Sequence, residues 1–368
     1  MLIWKLLCGA KIWRKILFFS LLFTVSFELR AWSASRDSIN KIESYLRENR
    51  INCIVLYGKG DKPMIIDNNL YLNGPYQITQ SKYFPIASLQ KVFTGIAVYK
   101  LEREGYIYWD EPVEKILPEL HLPRKVTIKR LMTHTSGLRD NYSEVDKPLY
   151  TEKGRIQYGL KNYKISTTNN WNYASSNYVV LSYLINKISR ESYYKYIYGL
   201  FNDSKLNMKP FNSLNYKEVV LQPKLVSESG KKETLISWMG NSILTSNPDL
   251  FEKLSWFNFS KDVSKTYGAG DMLATPQSYW RFVTTYLLKD KAMIDTWNNL
   301  TVNDFHPYFG GVYIKDPFIY ASGNVNDTCC FFIANYHTGN TIMLFSNNTN
   351  YLKLKNLKYE LKRLYFYD

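Results

Sequence analysis

Strand-forming segments stand at the two ends of this chain and helical periodicity fills its middle, an order that limits the possible folds more than any other feature. After a helical stretch at Asp37–Asn49, Ile51–Tyr57 and Met64–Ile66 are apolar runs joined by the turn-rich Gly58-Lys-Gly-Asp-Lys-Pro63, and another strand is expected near Leu70–Leu72. Strands return at Tyr308–Ile314, Phe318–Ala321, Thr328–Tyr336 and Thr341–Phe345, and a last helix is expected from about Tyr351 to Leu364. Between them, Val126–Met132 and Tyr178–Ile188 are the clearest amphipathic pieces. The chain therefore reads as α/β plus α: one discontinuous sheet domain of residues 34–105 and 261–368, interrupted by an all-helical region over 106–260, with no internal repeat.

One helix in this frame carries chemistry. In Phe84-Pro-Ile-Ala-Ser88-Leu-Gln-Lys91, the serine and lysine stand three residues apart, so they share a helical face about one turn apart and the Lys91 amine can reach the Ser88 hydroxyl. The spacing alone is common, recurring at Ser38 and Lys41, Ser192 and Lys195, and Ser229 and Lys232, all three expected at the surface. Context separates the first pair. Leu89, Val92, Phe93, Ile96, Ala97 and Leu101 fall on helical period and Gly105 marks the stop, so Ser88 heads a buried helix. A lysine in a first turn opposes the helix dipole and risks desolvation, costs that a proton-accepting amine would justify. The plainer alternative is that Ser88 caps the helix and Lys91 is solvated.

Composition bounds the setting. With 368 residues, 45% hydrophobic and 16% aromatic, the chain can bury a substantial core. Lys5, Lys11, Arg14 and Lys15 precede the apolar run Ile16–Phe27, and small residues follow at Ala31, Ser33 and Ala34, which is the layout of an export signal. The run is short for a membrane span, which needs about 20 residues. Residues 1–33 are thus expected to be a signal peptide or an anchor, and the rest to work on the outer side of the cytoplasmic membrane or in the wall. The formal net charge is +15, and +11 remains once Lys5, Lys11, Arg14, Lys15, Arg30 and Glu28 are set aside. Such a surface would draw the chain to polyanions, either phosphate-rich wall polymers or an anionic membrane surface. Nucleic acid is disfavoured by the export signal and the lack of an Arg-aromatic groove pattern. Beyond the leader Cys53, Cys329 and Cys330 are odd in number and imply no disulfide framework, and His121, His134, His306 and His337 lack ligand spacing, so no metal is expected.

Four segments then occur in order: that around Ser88, Leu131-Met-Thr-His-Thr-Ser-Gly-Leu138, Trp171-Asn-Tyr-Ala-Ser-Ser-Asn-Tyr178, and Tyr267-Gly-Ala-Gly-Asp-Met-Leu-Ala-Thr-Pro276. Together they resemble the penicillin-recognising serine hydrolases, the family of class C β-lactamases, DD-peptidases and related esterases, over roughly residues 38–350. The resemblance implies a β-lactamase/transpeptidase-like antiparallel sheet flanked by helices, an active site between sheet and helical region, and no cofactor. It implies catalytic roles for Ser88, Lys91 and Tyr173, the last sharing proton transfer with Lys91. The family's Tyr-x-Asn motif reads here Tyr173-Ala174-Ser175, so Ser175 could replace only one of the hydrogen bonds of the missing amide. For the third motif His337-Thr-Gly339 is a decoy in a hairpin turn, and the counterpart is Tyr320-Ala321-Ser322-Gly323. Gly323 would allow close substrate approach, the amide near Asn324 would join that of Ser88 in an oxyanion hole, and Ser322 is a weaker candidate. His134 is expected to be structural, bonding backbone carbonyls, while Gly268 and Gly270 permit tight backbone near the cleft.

The cation of the third motif is missing, since Ala321 offers no donor to a substrate carboxylate. A D-alanyl ester on teichoic or lipoteichoic acid has no terminal carboxylate, and the departures are similar to an extracellular subgroup that removes D-alanine from teichoic acids. The implied function is an acyl-enzyme esterase of that kind. The alternatives are a DD-carboxypeptidase or weak β-lactamase, and an inactive wall-binding protein.

Overall fold

The computed structural model describes residues 36–70, 76–168, 170–220, 248–301, 305–349 and 351–368. The expected leader, most of the strand expected at Leu70–Leu72, and the Ser229 and Lys232 pair lie outside the described residues. Two compact units are present, divided at Asn49/Arg50 and at Asn356/Leu357. In the smaller unit, helix α1 (residues 36–48) buries Ile42 and Leu46, and Lys41 pairs with Asp37 at 2.9 Å. Ser38 is buried rather than at the surface as expected.

The larger unit is built on seven antiparallel strands in the order β2-β1-β12-β11-β10-β9-β8. They are β1 (Cys53–Gly58), β2 (Met64–Asn68), β8 (Tyr308–Phe309), β9 (Val312–Lys315), β10 (Phe318–Val325), β11 (Thr328–Asn335) and β12 (Thr341–Ser346). The first hairpin and the last three strands thus meet at the β1 and β12 edges, as Ile54↔Phe345 and Leu56↔Met343. Strands β11 and β12 are buried on both faces, which explains their near-continuous apolar runs. One face, with Ile54, Ala321, Cys330, Phe332 and Phe345, joins the core under α2 (Lys91–Arg103). Cys329 and Cys330 are buried free thiols.

Two strands differ from the sequence reading. The stretch Tyr308–Ile314 is split by a turn at Gly310 (φ +63) and Gly311 (φ +97), because this turn packs on α2. A Cβ on Gly311 would lie 2.5 Å from the Lys91 carbonyl carbon, and one on Gly95 would lie 2.1 Å from the Gly310 oxygen. In turn, β10 runs four residues past Ala321, because Val325↔Thr328 closes a two-residue hairpin with Asn326 at φ +53.

The intervening region supplies α3 (Ile128–Met132), α4 (Glu152–Lys161), α5 (Ser175–Ser189), α6 (Tyr193–Leu200) and α7 (Pro248–Val263). It also carries three short strands, β4 (Leu138–Asp140) paired with β5 (Tyr163–Ile165), and β6 (Met208–Pro210). Strand β7 (Met272–Ala274) joins β6 to β3 (Phe84–Pro85), directly before Ser88. Helices α8 (Pro276–Phe282), α9 (Lys291–Leu300) and α10 (Tyr351–Phe366) follow. None of the described helices is long and apolar enough to cross a membrane.

Candidate active site

Ser88 lies in a 3-10 turn, Ala87–Gln90, that runs into α2. Its hydroxyl caps nothing: the residue before the turn is Ile86 and no side chain closes that end. Ala87, at φ +44, holds a left-handed conformation that costs a non-glycine residue energy and is met chiefly where surrounding structure over-determines it. Lys91 is fully buried. Its Nζ donates to Ser88 Oγ at 2.9 Å, Ser175 Oγ at 3.3 Å and the Ala269 carbonyl at 2.8 Å. Three acceptors match the three donors of an ammonium. If one proton leaves, the two remaining N–H groups can stay on Ser175 and Ala269 while the lone pair faces Ser88. By contrast Ser192 caps α6 by accepting from the Lys195 amide, and Lys195 pairs with Glu191 at the surface.

The Ala269 carbonyl is held from both sides. Asp271, fully buried, accepts from Arg155 Nη1 at 2.6 Å, from the Tyr194 hydroxyl at 2.6 Å and from the Gly268 amide at 3.0 Å. The residues flanking Lys91 grip the same turn: Thr94 Oγ1 donates to the Gly268 carbonyl at 2.6 Å, and Gln90 Oε1 accepts from the Met272 amide at 2.9 Å. The Tyr-Gly-Ala-Gly segment is thus a clamp on the lysine. The segment is legible in the sequence, whereas Arg155 and Asp271 lie 116 positions apart and no local spacing pairs them.

Helix α5 brings the next motif. Ser175 opens it and contacts Lys91. Its amide and that of Ser176 donate to Asp140 at 2.9 and 2.8 Å, so a carboxylate from β4 satisfies the free N–H groups at the positive end of the helix. Asp140 was not singled out in the sequence, although it follows the His-Thr-Ser-Gly-Leu segment by two positions. Tyr173, 38% exposed, meets Lys91 by its ring, with Nζ 5.2 Å from the centroid, and its hydroxyl makes no hydrogen bond among the described residues.

His134 is structural in a different way from that expected. Its Nδ1 accepts from the Ala174 amide at 3.3 Å and faces Asn177 Nδ2 at 3.0 Å, and Ser136 Oγ donating to Asn177 Oδ1 fixes that amide's orientation. Both neighbours of Nδ1 are donors, so the ring proton belongs on Nε2. Burial, and after it the charge of Lys91, holds the His134 imidazole well below its usual protonation range. In the unfolded chain it takes a proton near pH 6.5. The unfolded state therefore binds the extra proton first, and stability falls as pH drops below about 6.5. Its share of that fall is up to about 1.4 kcal/mol per pH unit. Urea denaturation from pH 7.5 to 5 should show this slope, and His134→Gln should flatten it; identical slopes would refute the assignment.

The third segment lies on β10. Ala321, Ser322, Gly323 and Asn324 line one cavity of about 490 Å³ together with Ser88 and Tyr173. Gly323 lines this cavity and also packs on the turn carrying Ser88, since a Cβ there would lie 2.0 Å from the Ile86 carbonyl oxygen. His337 sits in the β11–β12 turn and contacts Asp316 at 2.6 Å, apart from these residues. The cavity's other rings, Trp171, Tyr308 and Tyr313, were not foreseen as site residues.

Ser88 and Lys91 thus lie beside β10, an inner strand of the sheet, with the N-terminus of α5 next to them. In comparison with known proteins, the model of the beta-lactamase family matches residues 65–365. The chain belongs to the beta-lactamase family. It is a serine hydrolase of that superfamily. Penicillin-binding protein PbpX of Bacillus subtilis is 24% identical over 89% of this chain and 78% of its own length. The teichoic acid D-alanine hydrolase of Staphylococcus aureus is 26% identical over 69% of this chain, and the match spans 58% of that relative. Among solved structures, FmtA from Staphylococcus aureus superposes with a TM-score of 0.64 at 21% identity, covering 89% of each chain, a likeness of fold.

Proposed function

We propose that the chain is an esterase of the cell envelope that removes D-alanine from teichoic or lipoteichoic acid through an acyl-enzyme. The observation that carries this reading is the charge of the cavity: none of the described residues lining it is charged, and Lys91 is already engaged by three acceptors. A substrate ending in a carboxylate would find no cationic partner among these residues. An aminoacyl ester needs none, and the name of the Staphylococcus aureus relative is consistent with it. The net positive charge suits a polyanionic polymer.

In this mechanism Ser88 Oγ attacks the D-alanyl carbonyl and its proton passes to the Lys91 amine. Amides of Ser88 and Asn324 receive the developing oxyanion, the ester C–O bond breaks, and Tyr173 helps return a proton to the polymer alkoxide. Ser175 keeps Lys91 in place throughout. Water then cleaves the acyl-Ser88 ester, releasing D-alanine and restoring the hydroxyl. Purified protein incubated with D-alanylated lipoteichoic acid should release D-alanine, and Ser88→Ala should not. Absence of release by the wild type, or equal release by the variant, would sink the reading.

A further inference from the structure

We propose that the rings of Trp171, Tyr173, Tyr308 and Tyr313 form a subsite beside Ser88 for the ammonium of a cationic acyl group; the identity of that acyl group rests on the esterase reading above. All four rings line the same cavity, and no described lining residue offers a carboxylate to a cation. Recognition of positive charge there falls to ring faces, whose quadrupoles attract ammonium groups, most strongly where water is excluded. The rings are already braced. Trp171 stacks on His306 with centroids 3.9 Å apart at 8°, and Tyr313 stacks on Tyr320 at 5.2 Å and 10°. Tyr308 meets Tyr313 edge-on at 4.9 Å and Tyr173 at 5.9 Å. Side chains fixed in this way lose little freedom on binding. Tyr173 already accepts one cation, with Lys91 Nζ 5.2 Å from its centroid. The same faces are unfavourable to an anion.

The competing account is a plain apolar wall, indifferent to charge. D-alanine methyl ester and methyl propionate separate the two, since they share the acyl carbon chain and differ in the ammonium. Full-length Ser88→Ala keeps both esters intact for binding by saturation-transfer NMR. The ammonium ester should bind about five- to thirty-fold more tightly. The difference should vanish at a pH where its amine is neutral. It should also shrink in Trp171→Leu and in Tyr313→Leu and largely persist in Trp171→Phe. Equal binding of the two esters overturns the subsite, and so does a difference that survives both leucine variants. The esterase reading fails separately, if the wild type prefers the ammonium ester yet releases no D-alanine from the polymer.

Discussion

Lys91→Met is expected to slow D-alanine release by about 10²–10⁴-fold, the usual contribution of a positioned proton acceptor. Methionine has a comparable length and tolerates an apolar setting, so the side chain can stay buried beside the Tyr173 and Tyr178 rings. What disappears is the one group that contacts Ser88 Oγ, Ser175 Oγ and the Ala269 carbonyl together. The buried acceptors then lack a donor, and a loss of about 1–3 kcal/mol in stability should accompany the loss of activity. Lys91→Arg separates the two roles of the residue. A guanidinium keeps the positive charge but does not give up its proton, so it should be nearly as inactive as methionine. Rates of D-alanine release and of Ser88 labelling by a fluorophosphonate check this. Release by Lys91→Arg at close to the wild-type rate would show that the charge alone matters.

Asp271→Ala should destabilise the fold by about 3–5 kcal/mol, because it strands a cation rather than removing a contact. The Arg155 side chain is 3% exposed, and Asp271 is its only carboxylate partner within an ion-pair distance among the described residues. Without that carboxylate, the Gly268 amide and the Tyr194 hydroxyl also lose their acceptor. Replacing both members, as Arg155→Leu with Asp271→Leu, should cost less than the single change, since no buried charge is then left unpaired. The effect on activity should go the other way. Both variants release the turn that presents the Ala269 carbonyl to Lys91, so the double variant should regain stability in urea denaturation without regaining esterase activity. Full activity in a stable double variant would remove Arg155 and Asp271 from any role in positioning the lysine.

Much of the fold is readable in the sequence alone. The turn at Gly58–Pro63, the strand pairs at either end, the helix stop at Gly105 and the amphipathic stretches of α3 and α5 are local patterns, set by side-chain period and backbone preference. They emerge in the fold within a few residues. The misplaced boundaries have tertiary causes: Gly310 and Gly311 break a strand to touch α2, and pairing with β11 carries β10 through Ser322, Gly323 and Asn324. The packing of Gly323 is illegible for the same reason, since only in the folded chain does the Ile86 carbonyl stand where its Cβ would be.

The sequence carries in short spacings a serine and a lysine one helical turn apart, a tyrosine two positions before Ser175, and the absence of a cation at Ala321. It also determined the net charge and the order of strands and helices. Tertiary structure alone decided what surrounds that chemistry. The Asp140 carboxylate at the head of α5, the Arg155–Asp271 pair behind Ala269, and the four rings around the cavity come from elements distant along the chain. No local period encodes such meetings; they arise when distant apolar faces pack, and packing then dictates which polar groups must satisfy one another away from water.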